Sequence, residues 1–326
     1  MKKTTQVLLI LSLCLMSFYA KATNDDRNVP SPDSSKIVAK SDLSPFDFGL
    51  AEAQSDTDRF YVLYNTHVAA LNLGVDVDYS GIDTLDIAIP ANAKRIPLTI
   101  KNNFSGAVFR IKNTTKQFVL FEMIRTATPI NIDKNMLDGC DFTSIPELSE
   151  GLCMLILEDK TPWVNQRRDH NYPAIRRDLL FLSDGTAQNS PVASYLTDST
   201  KPQCSYYKVT PTSKVIENIT ILRDSNATFK TKCFYIVGES YVLLKNVAVY
   251  TPPSAMIADE AIILNDCANV TFKDVTIEGS YSQINRSGYG ISMNNIWNSQ
   301  YFRLVGHAKW GIFGTNNVSK AYFTDC

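Results

Sequence analysis

The chain has 326 residues, 44% of them hydrophobic, which is enough for one large elongated domain or two compact ones. Its 32 basic residues are balanced by 33 acidic ones, a net charge of −1 that argues against nucleic-acid binding through the overall field. Beyond residue 22 no stretch is long and apolar enough to read as a transmembrane helix.

Residues 1–22 read as a secretory signal. Lys2 and Lys3 make a basic start, residues 7–16 an apolar run interrupted by Ser12, and Ala20-Lys21-Ala22 a small-x-small cleavage site. Cys14 follows Leu13, which is too bulky for the usual lipidation site. The expectation is export from a bacterial-type cytoplasm to the periplasm, the cell surface or the medium. Six cysteines then remain: Cys140, Cys153, Cys204, Cys233, Cys267 and Cys326. Cys140 with Cys153 is the most local pairing in an oxidising compartment, while Cys233 and Cys267 sit in apolar stretches and read as buried thiols.

Residues 23–54 are rich in Ser, Asp, Pro and Lys without a hydrophobic period, and read as a mobile leader. A helix over residues 58–73 follows, capped by Ser55 or Asp56 and stopped by Gly74, with Phe60, Tyr64, Val68 and Leu71 on one face. Short β-type runs come next, at residues 85–89, 96–100, 107–111 and 117–121, separated by turn residues such as Asn92, Asn102, Asn103 and Gly106. Residues 124–210 repeat poorly. Two apolar runs within them, at 154–157 and 179–182, read as strands between insertions that stand off the main body and carry specificity.

The last third is repetitive. Residues 241–249 recur at 270–277 and again at 300–305, with Val247, Val275 and Val305 matched at spacings of 28 and 30. Each copy follows a second short strand, at 234–237, 261–264, 290–293 and 311–313. An earlier copy stands at 216–222 and a later one at 320–324. Strands this short and closely spaced leave no room for intervening helices, so a β-solenoid fits, its coils stacked by parallel pairing at about 4.8 Å. Asn, Asp and Gly near residues 238–240, 265–267, 293–295 and 315–317 suit its corners.

With a helix ahead of the first strand run Ile82-Asp83-Thr84-Leu85-Asp86-Ile87-Ala88-Ile89-Pro90, the chain resembles the pectate-lyase-like right-handed parallel β-helix superfamily over residues 55–123 and 210–326. The resemblance implies an all-β right-handed parallel β-helix with an N-terminal capping helix and an inserted loop region. Its parts are a signal peptide (1–22), a leader (23–54), the cap and first coils (55–123), coils with long insertions (124–210) and regular coils (211–326). Because Cys326 falls in or just after a coil strand with no cap, further coils or a partner chain are expected there. The superfamily hosts lyases, hydrolases, tailspikes and adhesins, so the resemblance implies architecture rather than activity.

Three clusters offer chemistry. Residues 163–177 carry Trp163, Arg167, Arg168, His170, Tyr172, Arg176 and Arg177. Arginine forks and aromatic faces suit an anionic glycan; equally, the arginines could pair with Asp169 and Asp178 in a solvated loop. On adjacent coils, Tyr281, Arg286, Tyr289, His307, Lys309 and Trp310 offer cations for a sugar carboxylate (Arg286, Lys309) and bases for the neighbouring proton (His307, Tyr289), as β-elimination requires. The bland alternative is an aromatic ladder in which Tyr289-Gly290-Ile291 matches Trp310-Gly311-Ile312. Glu239 and Asp266 at neighbouring corners are the third cluster, a carboxylate pair for glycoside hydrolysis or simply water-facing corner residues.

The Arg-x-Pro-x-x-Arg stretch of calcium-dependent pectate lyases is absent, as are the Asn-Thr-Asp and His-Gly signatures of polygalacturonases. No zinc spacing, calcium loop, P-loop or Gly-x-Ser-x-Gly elbow occurs, so no metal or cofactor is expected. The expected partner is a polysaccharide, read as anionic; neither nucleic acid nor a transmembrane segment is expected. An acidic-glycan lyase, a glycoside hydrolase and a non-catalytic glycan-binding or adhesin-like solenoid all remain open, the lyase ahead of the hydrolase.

Overall fold

The computed structural model of the chain describes residues 41–114, 117–167, 170–191, 202–223, 231–252, 260–280, 289–308 and 311–326. The signal and the leader up to residue 40 lie outside the described residues. From residue 42 onward the stretch read as leader is folded: β1 (Asp42–Leu43) pairs in parallel with β2 (Asp76–Asp78), and Leu43 and Phe48 are buried. The reason is local. Ser44 and Asp47 form a capping box around a single 3-10 turn (Pro45–Phe48) that presents Phe48 inward.

Helix α1 (Asp56–Leu73) starts at Ser55, whose hydroxyl accepts from the Asp58 amide while the Asp58 carboxylate accepts from the Ser55 amide. Gly74 ends it in the left-handed conformation at φ 68°. The buried face differs from the expected one: it runs through Phe60, Leu63, His67 and Ala70, and Leu71 is 52% exposed. A buried histidine explains the difference, because hydropathy alone rotates the stripe away from it. His67 Nδ1 donates to the Pro97 carbonyl at 2.8 Å, so Nε2 accepts from the Tyr79 hydroxyl at 2.6 Å.

The helix covers the start of a curled parallel sheet. Its early strands are β3 (Thr84–Ile89), β4 (Ile96–Pro97), β5 (Lys101–Asn103), β6 (Val108–Thr114) and β7 (Phe118–Ile124). Its later ones are β13 (Lys214–Arg223), β14 (Thr231–Val237), β15 (Ser240–Tyr250), β16 (Ile262–Ser280), β17 (Tyr289–Ala308) and β18 (Gly311–Thr324). Every pairing recorded among these strands is parallel.

The register corrects two matches made from sequence. Val247 does pair with Val275, but Val275 pairs with Leu304, leaving Val305 54% exposed. Tyr289 aligns with Gly311 rather than Trp310. Both slips are one residue, and the spacing between copies shifts from 28 to 29 without a change in residue types that a sequence would register.

The strands bend at left-handed residues that stack from rung to rung. One column is Gly238, Asp266, Asn295 and Asn317; another is Asn218, Asn246, Asp274 and Arg303. Amide ladders tie them: Asn246 donates to Asn218 at 2.9 Å, Asn295 to Asp266 at 2.8 Å and Asn317 to Asn295 at 2.7 Å. Asn and Asp tolerate positive φ and bond their stacked neighbours, which is why they recur at corners. Inside, aligned aromatics stack: Phe121 on Phe234 at 5.5 Å, Phe272 on Tyr301 at 5.1 Å and Tyr301 on Phe323 at 4.5 Å.

Residues 128–209 do not continue the parallel sheet. They form a separate antiparallel sheet of β8 (Thr128–Ile130), β9 (Leu152–Arg167), β10 (His170–Ser183), β11 (Thr186–Ala187) and β12 (Gln203–Val209), in the order β11-β10-β9-β12-β8, with a short helix α2 (Lys134–Gly139). The two predicted strands at 154–157 and 179–182 are the middles of β9 and β10. One face of this sheet builds its own core from Phe142, Leu155, Leu157, Leu180 and Leu182. The other packs Met154, Ile156, Phe181 and Tyr207 onto Ala268 and Trp297 of the parallel sheet. Strands apolar on both faces lose the alternation that marks a half-exposed sheet, so the insertion was unreadable as a second layer.

All six described cysteines are free thiols, so the expected Cys140–Cys153 bridge is not formed. Cys233 and Cys267 are fully buried, and burial pushes the Cys233 thiol up to about 11.

Candidate functional site

A trough of about 980 Å³ runs across the outward face of β4, β7, β14, β16 and β17, closed at one end by Tyr64 of α1 and by Ala93, Lys94 and Arg95 ahead of β4. Along β14 alternation is broken once, where the Cys233 and Phe234 amides both donate to the Ala261 carbonyl, so that Cys233, Phe234 and Ile236 are buried and Lys232 and Tyr235 lie outward. Parallel register then lines the outward residues up in columns. Lys232 lies beside Glu260, one column holds Glu122, Tyr235, Ile263 and Ser292, and another Asn265 and Asn294.

The trough is polar, with its charges in pairs. Arg95 meets Glu122 at 3.0 Å and Lys232 meets Glu260 at 3.3 Å, while the Arg95 guanidinium lies 5.3 Å from the centre of the Tyr235 ring. Asn294 donates to Asn265 at 2.8 Å, and Asn265 donates to the Tyr235 hydroxyl at 3.2 Å. Burial, and then the charge of Glu122, raise the Tyr64 phenol above its ordinary value, keeping it a neutral donor. Arg95 is 41% exposed in its side chain, and ion pairs of that kind hold only about 0–1 kcal/mol. Such groups can exchange partners with a polar ligand at little cost.

The residues singled out from sequence distribute unevenly. Tyr289 begins β17 outside the lining of the trough, its ring against Gly314, where an added Cβ would lie 2.7 Å from Cδ2. His307 is exposed near the other end of β17, in register with Glu278. Trp163, Arg167, His170, Tyr172 and Arg176 have their backbones in β9 and β10. Arg168, Tyr281, Arg286, Lys309 and Trp310 lie outside the described residues. Arg177 pairs with Glu158 at 3.0 Å and with Asp266 at 2.5 Å, rather than with Asp178.

Glu239 and Asp266, the candidate carboxylate pair, face neither water nor the trough. Both are buried where the antiparallel sheet docks, at 5% and 3% exposure. Glu239 approaches Lys214 at 3.5 Å, and Asp266 accepts from Arg177 and Asn295. Burial raises both carboxyls, against the opposing pull of Lys214 on one and Arg177 on the other. Asp266 joins the two layers, whereas Glu239 pairs within the parallel sheet.

Sequence reasoning missed Glu122, Lys232, Tyr235 and Glu260. The available signal was the outward positions of predicted strands, where a charged or aromatic residue breaks an apolar run. Among the described residues no group of three or more His, Cys, Asp and Glu could hold a metal ion, and no helix is long and apolar enough to cross a membrane.

The fold and trough together define a mostly β protein with a large curled parallel sheet, β-helix-like, whose outer face carries a polar, partly aromatic trough. No family model matches the chain, and no curated protein matches it. Among solved structures, the chain is similar to the tailspike protein gp49 from Pseudomonas phage LKA1, at 12% identity and a TM-score of 0.31, over 82% of this chain. The chain covers 64% of that tailspike's length. A likeness this weak bears on neither the site nor the activity.

Proposed function

We propose that this is an exported, right-handed parallel β-helix protein of the pectate-lyase-like kind that binds a polysaccharide in the trough. The observation that carries the binding reading is the trough itself: stacked Asn amides, the exposed Arg95–Glu122 ion pair and Tyr64 and Tyr235 rings, spanning several strands rather than forming a closed pocket. A chain of sugars presents hydroxyls at its edges and apolar ring faces, and this surface offers amides and ions for the first and phenol rings for the second. Export rests on the basic, apolar and small-x-small pattern of residues 1–22. Closure of the sheet into a solenoid is supported by Ile312, whose side chain abuts both Gly290 and Gly306 near opposite ends of β17.

Titration calorimetry against a panel of polysaccharides tests the binding. Tyr235→Ala should weaken the best ligand by about tenfold, the loss of one stacked ring together with the Arg95 contact it supports, and leave the melting temperature unchanged. Unchanged affinity in that variant removes the trough from the account.

Cleavage is the second reading, favoured by the carboxylates of Glu122 and Glu260 in the trough. The Cα atoms of Glu122 and Glu260 are two strand steps apart along the stack and about three residues apart across it, roughly 14 Å. Absorbance near 235 nm with uronate polysaccharides reports β-elimination, for which Tyr289 and His307 are the bases to replace alongside the cations Arg286 and Lys309. New reducing ends without that absorbance report hydrolysis and direct attention to Glu122 and Glu260. Silence in both, with binding intact, leaves a glycan-binding solenoid.

A further inference from the structure

A second face of the curled sheet is ordered as regularly as the trough. Six parallel strands lie side by side there, in the order β3, β6, β13, β15, β16 and β17. Alternation turns Phe109, Ile221, Val249 and Ile277 into the core and their neighbours outward. Strand by strand, one outward column reads Asp86, Arg110, Leu222, Tyr250, Glu278 and His307. Its companion, two residues earlier in each strand, reads Thr84, Val108, Thr220, Ala248, Thr276 and Val305. This is not the trough: β16 and β17 line the trough with Ile263 and Ser292, ahead of their left-handed corners at Asp266, Asp274, Asn295 and Arg303.

The face carries exposed apolar groups, with Tyr250 at 41% and Val305 at 54% exposure. Its companion column is uncharged and short, so another sheet could approach it closely. The charges of the first column are antisymmetric. Read in reverse, it sets Asp86 against His307, Arg110 against Glu278 and Leu222 against Tyr250. A two-fold axis lying in the interface parallel to the strands performs that reversal, because it turns one sheet over and inverts the order of its strands while keeping their direction. Acid then meets base at each charged position, and the two apolar side chains meet at the axis. The same operation opposes Thr84 to Val305, Val108 to Thr276 and Thr220 to Ala248. An axis along the stack would instead set Arg110 against Arg110 or against Val108, and leaves no charge matched.

From this self-complementarity we infer that two copies of the chain associate through this face about the strand-parallel axis, with Arg110–Glu278 and Asp86–His307 contacts each made twice. Within one copy Arg110 meets Asp86 at 2.5 Å, an exposed pair that can share its partners at little cost. Six strands about 4.8 Å apart and two columns about 7 Å apart present roughly 400 Å² per copy, below the standard size of a stable interface. The dimer is therefore weak, with a dissociation constant on the order of 10–100 μM. It leaves the trough open and does not rest on the glycan reading.

Sedimentation velocity of the mature protein from about 1 to 300 μM spans that range. Wild type should pass from monomer to dimer as concentration rises, and the shift should recede as salt is added. Arg110→Glu alone sets like charges opposite each other twice, as does Glu278→Arg alone, and each should stay monomeric at the highest concentration. An equal mixture of the two variants sets unlike charges opposite each other again and should recover the dimer, which also shows that both are folded. Monomeric wild type throughout overturns the inference. So do single variants that dimerise like wild type, or a mixture that stays monomeric although each variant melts like wild type.

Discussion

His67 shows how one side chain sets a pH dependence. It is fully buried among Tyr79, Phe104 and Phe121, and burial outweighs its bond to the Pro97 carbonyl, bringing its pKa down to about 4 from 6.5. In the unfolded chain the ring takes up a proton as pH drops below about 6.5, while in the folded protein it stays neutral until about pH 4. Its contribution is thus fully present above pH 6.5 and lost on acidification, to the extent of about 3 kcal/mol by pH 4. Urea midpoints followed from pH 7 to pH 4 should fall more steeply for wild type than for His67→Leu. That variant starts less stable because Tyr79 loses its acceptor. Parallel slopes in the two proteins would contradict the assignment.

At the scale of elements, the joint between the antiparallel and parallel sheets combines an apolar layer with an ion pair whose carboxylate is buried and whose guanidinium is half-exposed. The layer is Phe181 on Trp297, with the Tyr207 ring against Gly238, where an added Cβ would lie 2.3 Å from Cε1. The ion pair is Arg177 with Asp266, whose carboxyl is raised by burial despite the guanidinium beside it. Removing the arginine leaves a buried carboxylate unpaired, whereas replacing the aspartate by its amide removes the charge that resists burial. Arg177→Ala should therefore cost about 2–3 kcal/mol and Asp266→Asn less, a reversal of the order expected from counting hydrogen bonds. Chemical denaturation of both variants and their double mutant measures this. A larger loss in Asp266→Asn would mean that the pair stabilises through its charge after all.

For the whole molecule, the decisive matter is whether the curled sheet closes on itself. Ile312 Cδ1 would lie 2.5 Å from a Cβ on Gly290 and 2.1 Å from one on Gly306, so two positions sixteen residues apart press on one side chain. Gly290→Ala, at a buried position, should cost about 1–3 kcal/mol, Gly306→Ala, at an exposed one, less, and the double variant less than their sum because both displace the same isoleucine. Strict additivity in thermal denaturation would place the two glycines in separate environments and argue for an open sheet.

Much of the fold was legible because its determinants are local and repeated. The Ser55 cap, the Gly74 stop and the recurrence of residues 241–249 some 28 residues later each depend on neighbours in the chain, and they foretold the helix and the stacked parallel strands. The exact register was hidden, since Asn, Asp, Gly and even Arg303 occupy equivalent left-handed corners and a rung of 29 residues reads much like one of 28. Of the residues read from sequence, Tyr289 and the basic 163–177 segment stood out by composition alone. Glu122, Lys232, Tyr235 and Glu260 did not, because what joins them is parallel pairing between strands more than 100 residues apart along the chain in the case of β7 and β14. Asp266 was visible as a carboxylate, but the antiparallel sheet that sets Arg177 against it is brought there only by tertiary packing. Local chemistry and period determined which elements form. Which of their polar faces meet water and which meet another layer was a matter of long-range contact, and on that distinction the site depends.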